Sequence, residues 1–259
     1  MNILWTAPQK PPEIDWGKIF FPKDGYNHYD AWVVNPLLPV RGVDMLRFPK
    51  LKVVATPSTG TNHIAMDFCK KHGIDVLCLL DDRRALEEIR ASSEFAFLLI
   101  LAALRNFERA LTEVRQGHWL EHRNLLRGQE LYGKAVGAIG KGRIGTNVLK
   151  WCHAFGAKIF WHDPRVPYSK PLEWIFKNCD IVLVSCILND ETRRMIRGEH
   201  IEMMKKDGIL VNVARGEIID ESSVAAALLR RPSVRVATDV LGGEVSGRHL
   251  ASPLLKMPN

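Results

Sequence analysis

The sequence predicts an α/β protein of two units, each a parallel sheet wound with helices. Three observations predict it. Short β-branched runs alternate with stretches of helical spacing along the whole chain, the pattern of parallel strands joined by crossover helices. A long apolar helical stretch near residue 90 separates a short series of such runs from a longer one. In the longer series the first run ends on Gly140-Lys-Gly-Arg-Ile-Gly145, a glycine turn that opens a helix.

The bulk properties fit that class. The chain has 259 residues, enough for one large or two modest domains, and is 46% hydrophobic and 25% charged. Net charge is +7, but the basic residues are scattered with no Lys/Arg-rich run. Anionic small ligands are therefore expected, and nucleic acid is not. Five cysteines without a CxxC imply thiols in a reducing compartment, hence a cytoplasmic protein. The start, MNILWTAPQK, lacks a basic leader followed by an apolar core, so no signal peptide is expected. The longest apolar run, Phe95 to Leu104, is ten residues. A membrane span needs about 20, so no membrane partner is expected.

In the first unit, residues 1–90, the strands are NILWTA (2–7), DAWVVN (30–35), LKVVATPS (51–58) and IDVLCLL (74–80). Residues 63–73, HIAMDFCKKHG, have helical spacing and end on a glycine suited to a C-cap. The stretch FPKDGYNHYD (21–30) reads as loop, and the helix usual between the first two strands is abbreviated. Residues 92–119 read as one helix of about seven turns, capped by Ser92 or Ser93 and ended by Gly117. Apolar residues on nearly all faces of its first half predict burial at a domain or subunit interface. The second unit, residues 91–259, has strands at 134–140, 157–163, 180–186, 208–214 and 234–240. Its helices are expected at RIGTNVLKWCHAFG, PLEWIFKNC, TRRMIRGEHIEMM and ESSVAAALLRR. This is a Rossmann doubly wound pattern beside a smaller, flavodoxin-like α/β domain.

A lone GxGxxG is weak evidence, because glycines mark turns of all kinds. Here a strand precedes it, a helix follows, and the next strand ends on Asp163, 18 residues past Gly145. Gly140 permits the turn, Gly142 leaves room for a pyrophosphate, and Gly145 lets helix and strand pack closely. The free N–H groups of the helix start, from Arg143 and Ile144 onward, suit the phosphates. Asp163 suits the adenosine ribose hydroxyls, favouring NAD over NADP, although Arg165 two residues on counts slightly against.

The run ILVNVARGEIIDE (209–221) poses a question of charge. A strand buried enough to read Ile-Leu-Val-Asn-Val ends on Arg215. An unpaired charge there is costly, and a guanidinium at the carboxyl end of a strand suits a carboxylate, which it grips with two hydrogen bonds. An Arg in a surface turn explains the residue equally well by spacing alone. The next strand ends at Asp239, which suits a nicotinamide carboxamide. Glu244 follows five residues later and suits a histidine partner.

Taken together, these motifs resemble the D-isomer-specific 2-hydroxyacid dehydrogenases over nearly the whole chain. STGTNHI (58–64) is similar to the family's substrate loop and ELYGKAVGAIGKGRIG (130–145) to its cofactor entry. LNDET (188–192), MMKKDGILVNVARGEIIDE (203–221), DVLGGE (239–244) and SPLL (252–255) are similar to its later signatures. The resemblance implies hydride exchange between NAD and C2 of a 2-hydroxy or 2-oxo acid. It implies that Arg215 binds the substrate carboxylate and polarises the C2 oxygen, and that the backbone of Ser58, Thr59 and Gly60 holds the other carboxylate end. It adds Val213 and Ala214 to the cofactor contacts. Glu244 matches the Glu that raises the pKa of a catalytic His, and a homodimer through the cofactor unit is implied.

The family's catalytic His follows SPLL by roughly ten residues, and this sequence stops at Asn259. The expectation is therefore a C-terminally shortened form, lacking the last sheet strand and leaving residues 234–240 as an apolar edge. An alternative on the same fold is a non-catalytic NAD-binding regulatory protein. His249 is the nearest substitute and reads as a loop residue; His63 lies in the substrate loop. His118 and His122 have a helical metal spacing, but Gly117 and polar flanks argue against a metal site.

Overall fold

The computed structural model describes residues 2–8, 18–20, 26–119 and 127–258, and the chain divides into two compact units, Met1–Ile89 and Arg90–Asn259. The first unit contains β1 (Asn2–Trp5), β2 (Lys18–Phe20), β3 (Ala31–Val33), α1 (Gly42–Met45), β4 (Val53–Ala55), α2 (Met66–His72), β5 (Asp75–Leu77) and α3 (Arg83–Glu88). All its strand pairs are parallel, in the order β2-β1-β3-β4-β5. That is the strand order of a flavodoxin-like unit. Leu4, Tyr29, Val34, Val54, Ile64 and Cys69 form its core. α2 ends at Gly73, whose φ of 66° no β-carbon favours, as the C-cap reading expects.

Within this unit β2, α1 and α3 were not legible in the sequence. β2 is three residues long, too short to show alternation. The expected loop over 21–30 contains a 3-10 turn at Tyr26–His28, while residues 21–25, and residues 9–17 where an abbreviated helix was expected, lie outside the described residues.

The second unit contains α4 (Ala91–Leu104), α5 (Phe107–Arg115), β6 (Ala135–Ile139), α6 (Arg143–Ala154), β7 (Lys158–His162) and α7 (Leu172–Asn178). It continues through β8 (Ile181–Val184), α8 (Gly198–Met203), β9 (Ile209–Asn212), α9 (Glu221–Arg230) and β10 (Arg235–Thr238). Its sheet is parallel throughout, in the order β10-β9-β8-β6-β7. The five strands fall inside the five expected runs. Their alternation separates two cores. Ile181, Leu183, Ile209 and Val211 face Ile100, Val148 and Leu149 of α4 and α6. Val182, Val184 and Leu210 face Phe176, Ile201, Val224 and Leu228 of α7, α8 and α9. Both faces are covered, which is why these strands read as continuous apolar runs. Chain order reverses between β6 and β8, and a doubly wound sheet opens its ligand crevice at such a point.

The single long helix expected over 92–119 is two helices. Asn106 takes φ 50°, and α5 restarts there. The guanidinium of Arg235, on β10, donates to the Ala103 carbonyl and the Asn106 side chain, holding the end of α4. Neither serine caps α4: the N-cap is Arg90, and Ser93 is buried inside the helix, where it accepts from Asn147. The expected helix over TRRMIRGEHIEMM shrinks to α8, because Ile196 instead bridges Ile219 and Arg194 adopts φ 52°. β10 is the edge strand; its residues are half-buried, and Leu254 and Met257 from the closing turn pack against the core beside it. Among the described residues no helix is long and apolar enough to cross a membrane.

One core histidine has a pH signature. His200 is buried against Phe176, and its Nδ1 accepts the Arg197 N–H. Burial outweighs nearby Glu199 and Glu173 and lowers its pKa from 6.5. A depressed folded pKa means stability is fully present above about 6.5 and is lost as pH falls from there through the folded value. The melting temperature is expected to drop between pH 7.5 and 5.5, and His200→Asn should flatten that slope. An unchanged slope would remove His200 from the account.

Candidate active site

The glycine turn is built as its spacing requires. β6 delivers Gly140 at φ 90°, and a β-carbon there would lie 2.7 Å from the Cys186 backbone. A β-carbon on Gly145 would lie 2.2 Å from the Gly140 carbonyl oxygen and 2.7 Å from Ser185 Oγ. Gly142, by contrast, faces open space: nothing lies within 4 Å of its would-be β-carbon. Gly142 is the N-cap of α6 and has no side chain with which to cap it, and the start of this 12-residue helix suits an anion. Arg143 and Ile144 follow in the first turn, with Ile144 packed against the α4/α6 core. Room at Gly142 and the helix start behind it fit a pyrophosphate.

Asp163 closes the far side. Its carboxylate accepts the Lys141 N–H at 2.9 Å and the Arg165 N–H at 3.1 Å. The carboxylate thus ties the glycine turn to the end of β7, and solvent still reaches the residue. Lys141 Nζ sits 3.2 Å over the Trp161 ring.

Ser185 and Cys186, at the end of β8, were not singled out from sequence. Ser185 Oγ donates to the Gly140 carbonyl at 2.8 Å, and the Cys186 backbone walls the turn. Burial pushes the Cys186 thiol up to about 11, so it stays protonated. The signal was a Ser-Cys pair ending a buried strand, which sequence alone does not distinguish from core.

Arg215 lies just past the end of β9, two strands from the glycine turn, roughly 10 Å at sheet spacing. It is half-buried, and its Nη1 donates to the Ala214 carbonyl at 2.6 Å. The turn carrying it is fixed by Asn212, which is fully buried. Asn212 Oδ1 accepts the Ala214 N–H at 3.1 Å and its Nδ2 donates to the Arg215 carbonyl at 3.1 Å. Asn212 was also missed, hidden inside an apolar run. Val213 and Ala214 place their side chains in opposite cores, so their backbone is what the crevice side receives.

Asp239 and Glu244 flank a loop after β10. The protein packed around Asp239 raises its carboxyl above the usual range, Glu244 adds to this, and Arg215 opposes it. Glu244 Oε1 accepts the Leu241 N–H at 2.7 Å. His249 opens a 3-10 turn and is half-buried; its Nδ1 has no hydrogen-bond partner among the described residues, so Glu244 does not orient it. His118 pairs with Glu113 at 2.8 Å, and His122 lies outside the described residues.

In the first unit, Ser58, Thr59 and Gly60 follow the carboxyl end of β4. Ser58 Oγ donates to the Gly60 carbonyl at 2.7 Å and meets Thr56 Oγ1 at 3.0 Å, which in turn meets the buried His63 Nε2 at 3.1 Å. This polar chain shapes the loop from within, so His63 supports it from the core side. Arg41 is engaged by Asp44 at 3.1 Å.

Comparison with known proteins gives this arrangement a family. Residues 97–259 match the model of the D-isomer specific 2-hydroxyacid dehydrogenase NAD binding domain, and residues 23–79 match that family's catalytic domain. The chain is similar to a glyoxylate/hydroxypyruvate reductase of Arabidopsis thaliana, 30% identical over 81% of this chain and 65% of the relative. It is similar to the D-3-phosphoglycerate dehydrogenase of Methanocaldococcus jannaschii, 33% identical over 81% of this chain and 40% of that one. The chain thus spans less than two thirds of either relative. The hydroxypyruvate reductase of Thermotoga maritima is 33% identical over 81% of this chain and 68% of its own length. In fold, the chain matches D-lactate dehydrogenase from Aquifex aeolicus, solved with NAD and lactic acid, at a TM-score of 0.83, with 22% identity over 99% of this chain and 85% of that one. These two matches, over residues 23–79 and 97–259, the second alone more than half of the chain, show that the chain belongs to the D-isomer specific 2-hydroxyacid dehydrogenase family.

Proposed function

We propose that the protein is an NAD-dependent oxidoreductase that interconverts a D-2-hydroxy acid and the corresponding 2-oxo acid. The observation that carries this reading is Arg215, held by Asn212 at the carboxyl end of β9, in the sheet that bears the glycine turn. Bound NAD supplies the hydride acceptor and donor for C2 of the acid. The chain's own residues do the rest. The amides after Gly142 hold the pyrophosphate, and Asp163 takes the adenosine ribose. Asp239 orients the carboxamide. Arg215 grips the substrate carboxylate and polarises the C2 oxygen; the backbone of Ser58, Thr59 and Gly60 is assigned to substrate binding. Glu244 is assigned the role of raising the pKa of a proton-carrying imidazole.

The substrate class we favour is a short 2-oxo acid, in line with the reductases among the relatives. We also assign a homodimer. Phe107, Leu111 and Val114 of α5 and Phe95 and Leu98 of α4 are exposed, an apolar surface suited to a second copy. The five free cysteines support a reducing, cytoplasmic setting.

The test is to titrate the protein with NADH by fluorescence, then add glyoxylate, hydroxypyruvate and 3-phosphohydroxypyruvate while following absorbance. Saturable NADH binding and turnover of at least one acid are expected. Binding without turnover would replace the enzyme by a regulatory NAD-binding protein, and absence of binding would refute both.

A further inference from the structure

We propose that Glu217 and Glu221 are positioning residues that hold the loop between Asp239 and Glu244 in the shape the nicotinamide half of the coenzyme requires. This rests on the coenzyme site proposed above and concerns residues to which that reading gives no role.

The loop is poorly specified by its own sequence. Gly242 and Gly243 are adjacent, Gly243 takes φ 82°, and a glycine pair loses more backbone freedom on ordering than any other. Yet three successive amides of the loop each end on a carboxylate. Leu241 N–H donates to Glu244 Oε1 at 2.7 Å, Gly242 N–H to Glu221 Oε1 at 2.6 Å, and Gly243 N–H to Glu217 Oε1 at 3.2 Å. Bonds from amides to carboxylates are shorter and stronger than neutral ones. Two of the three carboxylates come from the opposite segment. Glu217 lies in the 3-10 turn that follows Arg215, and Glu221 opens α9.

The same two segments are in direct contact. A β-carbon on Gly216 would lie 1.9 Å from the Leu241 carbonyl carbon and 2.1 Å from Gly242 N. The loop therefore rests on the arginine turn, and the two carboxylates reach past Gly216 to bind its amides. The consequence is a coupling: the turn bearing Arg215 and the loop bearing Asp239 and Glu244 are held as one body. Asp239 sits at the start of that loop, where its orientation follows the amides behind it.

Ligands that share the adenosine and pyrophosphate but differ at the nicotinamide separate this role from a merely stabilising one. ADP-ribose and NADH are titrated against the wild type, Glu221→Ala, Glu217→Ala and Glu221→Gln by calorimetry, with melting temperatures recorded. The alanine variants are expected to bind NADH about tenfold more weakly, the scale of one charged hydrogen bond, while ADP-ribose affinity stays within about twofold. Glu221→Gln keeps an acceptor oxygen and is expected to recover most of the loss. If NADH and ADP-ribose weaken in parallel, or neither changes, the positioning role is wrong. Should Glu221→Ala not fold, Glu217→Ala and Glu221→Gln against wild type carry the same comparison. If the wild type binds neither ligand, the coenzyme site is refuted first and the positioning role with it.

Discussion

Arg215→Ala is expected to lower kcat/KM for a 2-oxo acid about a hundred- to ten-thousandfold, leaving NADH affinity near wild type. A guanidinium fork gives a carboxylate two charge-assisted hydrogen bonds, each worth about 1.5–3 kcal/mol, and each 1.36 kcal/mol is tenfold in rate. Arg215→Lys is expected to recover little, because a point charge cannot reproduce the fork. The side chain is held by Ala214 and its turn by Asn212, so alanine removes the fork without releasing the backbone. Steady-state kinetics together with NADH titration make the check. Equal loss of NADH binding would mean that Arg215 serves the fold or the coenzyme instead.

Gly145→Ala is expected to cost both stability and coenzyme affinity, whereas Gly142→Ala should cost affinity alone. At Gly145 the new carbon would meet the Gly140 carbonyl oxygen at 2.2 Å, a backbone atom that cannot swing aside, so α6 must move away from β6. Forcing a group into packed surroundings costs about 1–3 kcal/mol, and the displaced helix start no longer faces the crevice. At Gly142 nothing lies within 4 Å, and its φ of −77° suits alanine. A methyl group there crowds only the space assigned to the pyrophosphate. Thermal melts with NADH titrations would separate the two, and a Gly142→Ala protein that binds NADH like wild type would move the phosphates elsewhere.

The glycine turn was legible because its function is local. Its residues act on neighbours a few positions away, so spacing and strand context suffice to read it. Arg215 was only half legible. The sequence shows a charge at the end of a buried run, but an Arg in a surface turn looks the same until the strand's place in the sheet is known. The long helix was misread at Asn106. Nothing in residues 92–119 forces a break there; the fork that holds it belongs to Arg235, more than a hundred residues on. Ser185, Asn212, Glu217 and Glu221 were missed for the same reason: each acts through a hydrogen bond that no local pattern announces.

Alternating apolar runs, glycine spacing and end-of-strand charges by themselves determined two parallel α/β units, a dinucleotide turn and a candidate carboxylate clamp. Those features follow from 2.0 and 3.6 periodicities and from backbone angles that only glycine tolerates, all properties of short segments. Tertiary structure alone decided which strands are neighbours, where the helix breaks, and which carboxylates grip the loop beyond β10. Such contacts join residues distant in the chain, and their energies exist only once the sheet has brought the partners within hydrogen-bond reach.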